Sequence, residues 1–395
     1  MYAKYKNIVR LISFLLVSVM LLAAVGCSKE MDGYGYSESS SESTYGAYGD
    51  TSEKNDATSK KETTKKETSK NNSTSKETSA PKRTFKTNVT NKWKYYKDME
   101  NGIVERTITI NTGWGGESVN LVQMTDMHIN YCNENDLKDP VLNSTYKNRT
   151  WLKNGESLPN IARCMEASKD ADLIVLTGDI YDYYSEGVVE KANDYIFNKY
   201  NNVVGAIGNH EPIRKVQGTV PETKSYDELR RLVSDSWCND IAYDSYVLKN
   251  KVMIILLDNS SDHFRQEQIN FLKGDLNKAR ANGYVVLLFY HIPLNTGVPS
   301  DKNAKSSYQN DGEYANFYDY EYHVGPASTG VDKTIYDLIC SNGDIIKGTF
   351  CGHYHSDFYT EIQATTPNGT KTMIPQYILT GVAYDKGHLL RITIN

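Results

Sequence analysis

Five times along this chain an apolar run of strand length ends in a short cluster of metal-ligating side chains, and no other feature restricts the fold as tightly. Residues 119–124 run into Thr125-Asp126-Met127-His128, and 173–176 into Thr177-Gly178-Asp179-Ile180-Tyr181-Asp182. Residues 203–207 lead to Gly208-Asn209-His210-Glu211, 284–290 to His291-Ile292-Pro293-Leu294, and 344–351 to Gly352-His353-Tyr354-His355. Short apolar runs bounded by turn residues read as buried strands. Open α/β sheets keep their chemistry at the carboxyl ends of such strands. Helical patterning at 159–169, 187–199, 224–235, 265–281 and 331–341 separates the runs, so the fold class is α/β. The segment 130–157 reads as a polar loop, 295–330 as a polar insertion, and two closing strands are expected at 375–381 and 388–394.

Each cluster taken alone fits a surface turn or a core histidine. Together they assemble carboxylate, imidazole and amide oxygen without thiolate, which suits borderline cations such as Mn, Fe or Zn. Gly178 lets the chain turn sharply and presents Asp179, whose two oxygens can serve two cations at once.

The set D-x-H, G-D-x-x-D, G-N-H-E, strand-final His and G-H-x-H resembles the calcineurin-like metallophosphoesterase superfamily, over about residues 115–395. The resemblance implies an αββα two-sheet sandwich with a dinuclear metal site at the carboxyl ends of the strands. It implies two metal ions, one held by Asp126, His128, Asp179 and His355. The other would be held by Asp179, Asn209, His291 and His353. A hydroxide bridging the metals would attack phosphorus, His210 would protonate the leaving group, and the Asp182 carboxylate would orient His210. Two departures from related enzymes stand out. Purple acid phosphatases carry a tyrosine where this chain has Asp182 and lack the histidine at 128; here Tyr181 comes one residue earlier. Protein Ser/Thr phosphatases place an arginine clamp where this chain has Tyr183. Substrate selection then falls to loops: 130–157 with Asn133, Asn135, Lys147 and Arg149; 183–187; 211–224 with Arg214 and Lys215; and 295–330. Their basic residues read equally as phosphate holders or as solvated charges, and His323 as a cleft or surface residue.

The amino terminus has a basic stretch (Lys4, Lys6, Arg10) and an apolar stretch at 11–25, ending in Ala24-Val25-Gly26-Cys27. It resembles a bacterial lipobox, which implies a signal peptide over 1–26 and a lipidated Cys27. Ala24 replaces the usual Leu, which leaves a plain secretory signal or an uncleaved anchor open. Residues 27–92 are low in complexity, with Lys-Glu-Thr recurring at Lys61, Lys66 and Lys76, and are expected to be a disordered linker. The phosphoesterase domain is expected over 93–395. Five cysteines remain beyond Cys27, an odd number without CxxC spacing, so no zinc ribbon is expected. A net charge of −5 gives no nucleic-acid-binding surface.

The expected function is metal-dependent hydrolysis of phosphate mono- or diesters on the extracytoplasmic face of a bacterial membrane, by a lipoprotein anchored there. The alternatives are a surface-displayed binding protein that keeps the fold without turnover, and a phosphodiesterase of envelope phospholipids or polymers.

Overall fold

Alternation of side chains within single strands sets the layering. In β4 (Leu173–Thr177), Leu173 and Val175 join one buried cluster while Ile174 and Leu176 join another. The same split divides Val252, Ile254 and Leu256 from Met253, Ile255 and Leu257 in β7 (Val252–Leu257). A strand apolar on both faces must be covered on both faces, and the chain folds accordingly.

The computed structural model describes residues 83, 85, 88–95, 102–296 and 323–395 apart from 385. One six-stranded sheet contains β1 (Asn88–Tyr95), β2 (Ile103–Asn111), β3 (Val119–Met124), β4, β5 (Val203–Ala206) and β12 (Gly387–Ile394), in the order β1-β2-β12-β3-β4-β5. The other contains β6 (Tyr243–Leu248), β7, β8 (Val285–Phe289), β9 (Ile346–Cys351), β10 (Phe358–Thr365) and β11 (Lys371–Ile378), in the order β10-β11-β9-β8-β7-β6. Between the sheets lie Leu121, Val175, Ile254, Leu287, Phe289, Phe350 and Ile392. Helices Leu158–Ser168 and Tyr226–Ser236 contribute Ile161, Met165 and Val233 to the core on the outer face of the first sheet. Helices Gln266–Asn282 and Gly330–Cys340 cover the second with Leu272, Leu276, Ile335 and Ile339. This is the expected αββα sandwich. β3, β4 and β5 run parallel, as do β7, β8 and β9, so the five ligand-bearing loops gather at one end of both sheets.

Several expectations change. The polar loop 130–157 holds a helix, Pro140–Asn148, whose first turn is capped by Asp139 Oδ1 accepting from the Val141 and Leu142 amides (2.8 and 3.3 Å). An Asp-Pro pair is a helix-start signal, so this element was legible. The closing region adds β10, paired antiparallel with β11. The helix expected over 187–199 leaves α geometry after Ala192 and continues as one π turn, Asn193–Phe197. β1 begins at Asn88, ahead of the boundary expected at 93, and pairs with β2. Arg83 Nη1 donates to the Asn250 carbonyl at 2.6 Å. The remainder of the 27–92 linker, the signal segment and Cys27 lie outside the described residues, as does 297–322 of the insertion. Cys132, Cys164, Cys238, Cys340 and Cys351 are all free thiols, and Cys351 is fully buried. No helix among the described residues is long and apolar enough to cross a membrane.

Candidate metal centre

The loops meet because each is stitched to the next. The Asp126 amide donates to the Gly178 carbonyl (3.0 Å) and the His128 amide to the Asp179 carbonyl (2.9 Å). Across the seam between sheets, His291 Nδ1–H donates to the Thr177 carbonyl (2.7 Å); within the second sheet, the Gly352 amide donates to the His291 carbonyl (3.0 Å). Glu211, which the sequence reading left without a role, is fully buried. Its carboxylate accepts from the amides of Asp179 (3.0 Å), Ile180 (2.6 Å), Tyr181 (3.1 Å) and Gly208 (2.6 Å). Burial and the Asp179 charge push its carboxyl up to about 7.

Two motif glycines are explained by close approach. A Cβ on Gly178 would lie 2.6 Å from His291 Nδ1, and one on Gly208 would lie 2.6 Å from the Asp179 amide. Five candidate ligands hold left-handed backbone: Asp126 (φ 49°), His128 (42°), Asp179 (53°), His353 (74°) and His355 (53°). Each costs about 1–3 kcal/mol, strain that folds concentrate at functional sites.

Asp126, His128, Asp179 and His355 each place one ligand atom within 4.8 Å of the others. His355 Nε2 is 3.0 Å from both His128 Nε2 and Asp126 Oδ1, and His128 Nε2 is 3.7 Å from Asp179 Oδ2. Asp179, His291 and His353 form a second such group. Asn209 joins it: its Oδ1 is 3.0 Å from His291 Nε2 and 3.1 Å from His353 Nδ1. His291 Nε2 is also 3.1 Å from Asp179 Oδ2. The structure therefore brings all seven candidate ligands together, in two groups that share Asp179.

The donor atoms fit cations. His128 Nδ1–H donates to Asp182 Oδ1 (2.9 Å), so Nε2 carries the lone pair. That lone pair faces His355 Nε2. His291, with Nδ1–H committed to Thr177, aims the Nε2 lone pair at two oxygens. Converging acceptors repel unless a proton or a cation lies among them. Without a cation, protons take the place. Burial alone would lower His128, but Asp126, Asp182 and Asp179 push it up to about 10. Burial would likewise lower His291, but Asp179 pushes it up to about 9. Burial, with His291 and His323 close by, takes His353 down to about 3. Burial would raise Asp179, but His291 and His210 hold it well below the usual carboxylate range.

A prediction follows for metal loading. Below about pH 9 both His128 and His291 carry protons that a cation must expel. Loading at pH 7 releases up to about two protons, and apparent affinity rises about tenfold to a hundredfold per pH unit as pH increases. Calorimetry in buffers of different ionisation enthalpy counts the protons; affinity independent of pH from 6 to 8 would contradict the assignment.

His210 stands beside this centre, its ring edge-on to His128 at 4.8 Å and its amide donating to Asp179 Oδ1 at 3.0 Å. The expected role of the Asp182 carboxylate needs correction. His210 Nδ1–H donates to the main-chain carbonyl of Asp182 (2.7 Å), while the carboxylate is 3.7 Å away. The carboxylate instead accepts from His128 and, through both oxygens, from Arg149 (2.9 and 3.0 Å). Asp182 thus orients His210 by its backbone and a ligand histidine by its side chain. Burial also keeps His210 below the ordinary histidine value.

Other loop candidates divide. Arg214 is buried and paired with Asp139 and Glu222 (2.7 and 2.5 Å), a structural role. Asn133 organises its own loop by accepting from the Asn135 and Asp136 amides. Tyr181 is buried edge-on against Trp237 at 5.5 Å, which gives no support to a tyrosinate ligand. His323 is buried, not superficial; it contacts Asp262 (2.9 Å) and Tyr354 (2.7 Å), with its ring 5.8 Å from His353. Two aromatic residues went unnoticed in the sequence. Trp151 stacks on His355 at 5.9 Å, and Tyr384 hydrogen-bonds to His355 Nδ1. Neither belongs to a motif, so only the fold reveals them.

The sequence model of the calcineurin-like phosphoesterase family matches residues 119–357. Among solved structures, the chain is similar to a dimetal phosphatase from Danio rerio (14% identity, 67% of this chain and 88% of that one, TM-score 0.39). It is also similar to a purple acid phosphatase from yellow lupin (13% identity, 70% and 44%, TM-score 0.39), of which it spans less than half. A third is a calcineurin-like phosphoesterase from Bacillus subtilis (16% identity, 67% and 82%, TM-score 0.30). Comparison with curated proteins gives no match. With the family pattern matched over more than half of its length, and the ligands of a two-metal centre gathered at the strand ends, the chain belongs to the calcineurin-like phosphoesterase family.

Proposed function

We propose that this protein is an exported, lipid-anchored phosphoesterase that hydrolyses small phosphate mono- or diesters outside the cytoplasmic membrane. The observation that carries the catalytic part is the sharing of Asp179 by two ligand groups, with His210 beside them. Two cations bound at these ligands supply Lewis acidity toward phosphoryl oxygens and lower the pKa of water. The chain's own residues do the rest. Asp182, Thr177 and Glu211 fix the tautomers and the turns that aim His128, His291 and Asp179. His210, held through Nδ1 by the Asp182 carbonyl, keeps Nε2 for proton delivery to the leaving oxygen. The export reading is supported by the basic and apolar amino-terminal segments and by Cys27 after Ala24-Val25-Gly26.

The test uses the full chain loaded with manganese, assayed on a chromogenic monoester and diester beside an Asn209→Ala, His291→Ala double variant. Turnover of either ester is expected, falling at least about 10³-fold in the variant. Two bound metals without turnover of any ester would replace this reading with a binding role. Turnover of phospholipid vesicles in preference to soluble esters would favour an envelope substrate. Mass spectrometry of the mature amino terminus is expected to find acylated Cys27; an unmodified terminus elsewhere would refute anchoring there.

A further inference from the structure

His355 is a ligand histidine with little around it: its side chain is 30% exposed, whereas those of His128 and His291 are fully buried. Its backbone is left-handed (φ 53°), so neither burial nor an ordinary main-chain conformation holds the ring in place. Nε2 is the atom it gives to the ligand group, 3.0 Å from both Asp126 Oδ1 and His128 Nε2. A ligand histidine keeps a lone pair on the nitrogen that faces the cation, so the other nitrogen carries the proton and needs an acceptor. For His128 that acceptor is the Asp182 carboxylate, and for His291 the Thr177 carbonyl. For His355 it is the hydroxyl oxygen of Tyr384.

Tyr384 belongs to none of the five strand-end clusters, yet its place is fixed from two directions. β11 ends at Ile378, and the turn after it is stitched to the first ligand loop. The Val382 and Ala383 amides donate to the Thr125 and Asp126 carbonyls (2.9 and 3.2 Å). A Cβ on Gly381 would lie 2.7 Å from Asp126 Cβ, so this turn rests directly on a ligand residue. From the other direction, Asn160 Nδ2 on the helix Leu158–Ser168 donates to the Tyr384 carbonyl (2.5 Å). Trp151 steadies the same ring by its face. It lies at 23° to the His355 ring and 5.7 Å from that of Tyr384. Its loop is held by Asn130 Nδ2, which donates to the Arg149 and Trp151 carbonyls (3.2 and 2.7 Å).

We propose that Tyr384 is a positioning residue for the metal centre. Its hydroxyl fixes the tautomer and ring orientation of His355, and so sets how tightly the group Asp126, His128, Asp179 and His355 holds its ion. The ion of Asp179, Asn209, His291 and His353 does not depend on it, because Tyr384 reaches that group through no ligand histidine but His355. The proposal rests on the two-ion centre and not on which ester is hydrolysed.

The test separates a held ligand from a general packing role. The full chain, Tyr384→Phe, His355→Ala and the double variant are titrated with manganese by calorimetry, with free manganese followed by electron paramagnetic resonance. Tyr384→Phe keeps the ring and removes only the hydroxyl. It is expected to weaken one of the two ions by about 10- to 100-fold and the other by less than about threefold. The Tm of the metal-free chain should shift by less than about 2 °C. In the His355→Ala background, removing the hydroxyl should change the weaker ion by less than about twofold, since the partner it acts through is gone. Unchanged affinity for both ions, equal weakening of both, or the full loss in the His355→Ala background would overturn the proposal, as would a wild type that binds fewer than two ions. A wild type that binds two ions and hydrolyses no ester would refute the phosphoesterase reading, while the titrations still decide Tyr384.

Discussion

Asp179→Asn is expected to lower kcat/KM by at least about 10³-fold and to bring bound metal below two ions per chain. The substitution keeps shape and removes charge, so the loss is not one of packing. Asp179 Oδ2 lies 3.1 Å from His291 Nε2 and 3.7 Å from His128 Nε2, while Oδ1 holds the His210 amide. One carboxylate therefore serves both ligand groups and positions the proposed acid. Asp179 is the residue whose ligand atoms the two groups have in common, so replacing Asp126 or Asn209 should spare more of the second ion than replacing Asp179. Metal analysis of purified protein, beside kcat/KM, checks both parts; an Asn variant that keeps two ions and full rate would contradict the shared-ligand account.

His210→Gln is expected to act selectively. An alkyl phosphate, whose leaving oxygen needs a proton, should slow by about 10²- to 10⁴-fold. A nitrophenyl ester, whose leaving group departs as a stable anion, should slow less than about tenfold. Metal content should not change, because His210 is no member of the two ligand groups that share Asp179. The pH dependence has a definite sign. A group that donates a proton works only while protonated, and burial holds His210 below its ordinary value. Wild-type turnover of the alkyl ester should therefore fall as pH rises from the mildly acid side, and that limb should vanish in His210→Gln. A uniform loss on both esters would make His210 a structural residue.

Much of this molecule was legible before folding because strand-end chemistry leaves a local signal. An apolar run followed by Gly-Asp or Gly-Asn states both where a strand stops and what it presents; Asp179 and Asn209 carry that signal, and the other five candidate ligands also lie just after an apolar run. The two-faced apolar strands announced layers on both sides. What stayed hidden depends on contacts between segments far apart in the chain. Trp151 and Tyr384 belong to no motif, and only the packing of their loops brings them to His355. Arg149 reads as a loop charge until Asn130 is seen to hold its carbonyl. The role of Asp182 was inverted because its spacing from His210 cannot tell a side-chain hydrogen bond from a main-chain one. β10 alternates apolar and polar residues, as an outer strand does, and should have been read from that period alone. The Asp-Pro helix start at 139–140 is a second signal that was present and passed over.

The central claim is that one buried carboxylate joins two cations, and electron paramagnetic resonance of the manganese-loaded chain tests it most directly. At two ions per chain the account predicts an exchange-coupled spectrum, replaced in Asp179→Asn by the six-line signal of isolated manganese. A six-line signal from the wild type at full loading, or no manganese bound at all, would contradict a shared Asp179 and the centre built upon it.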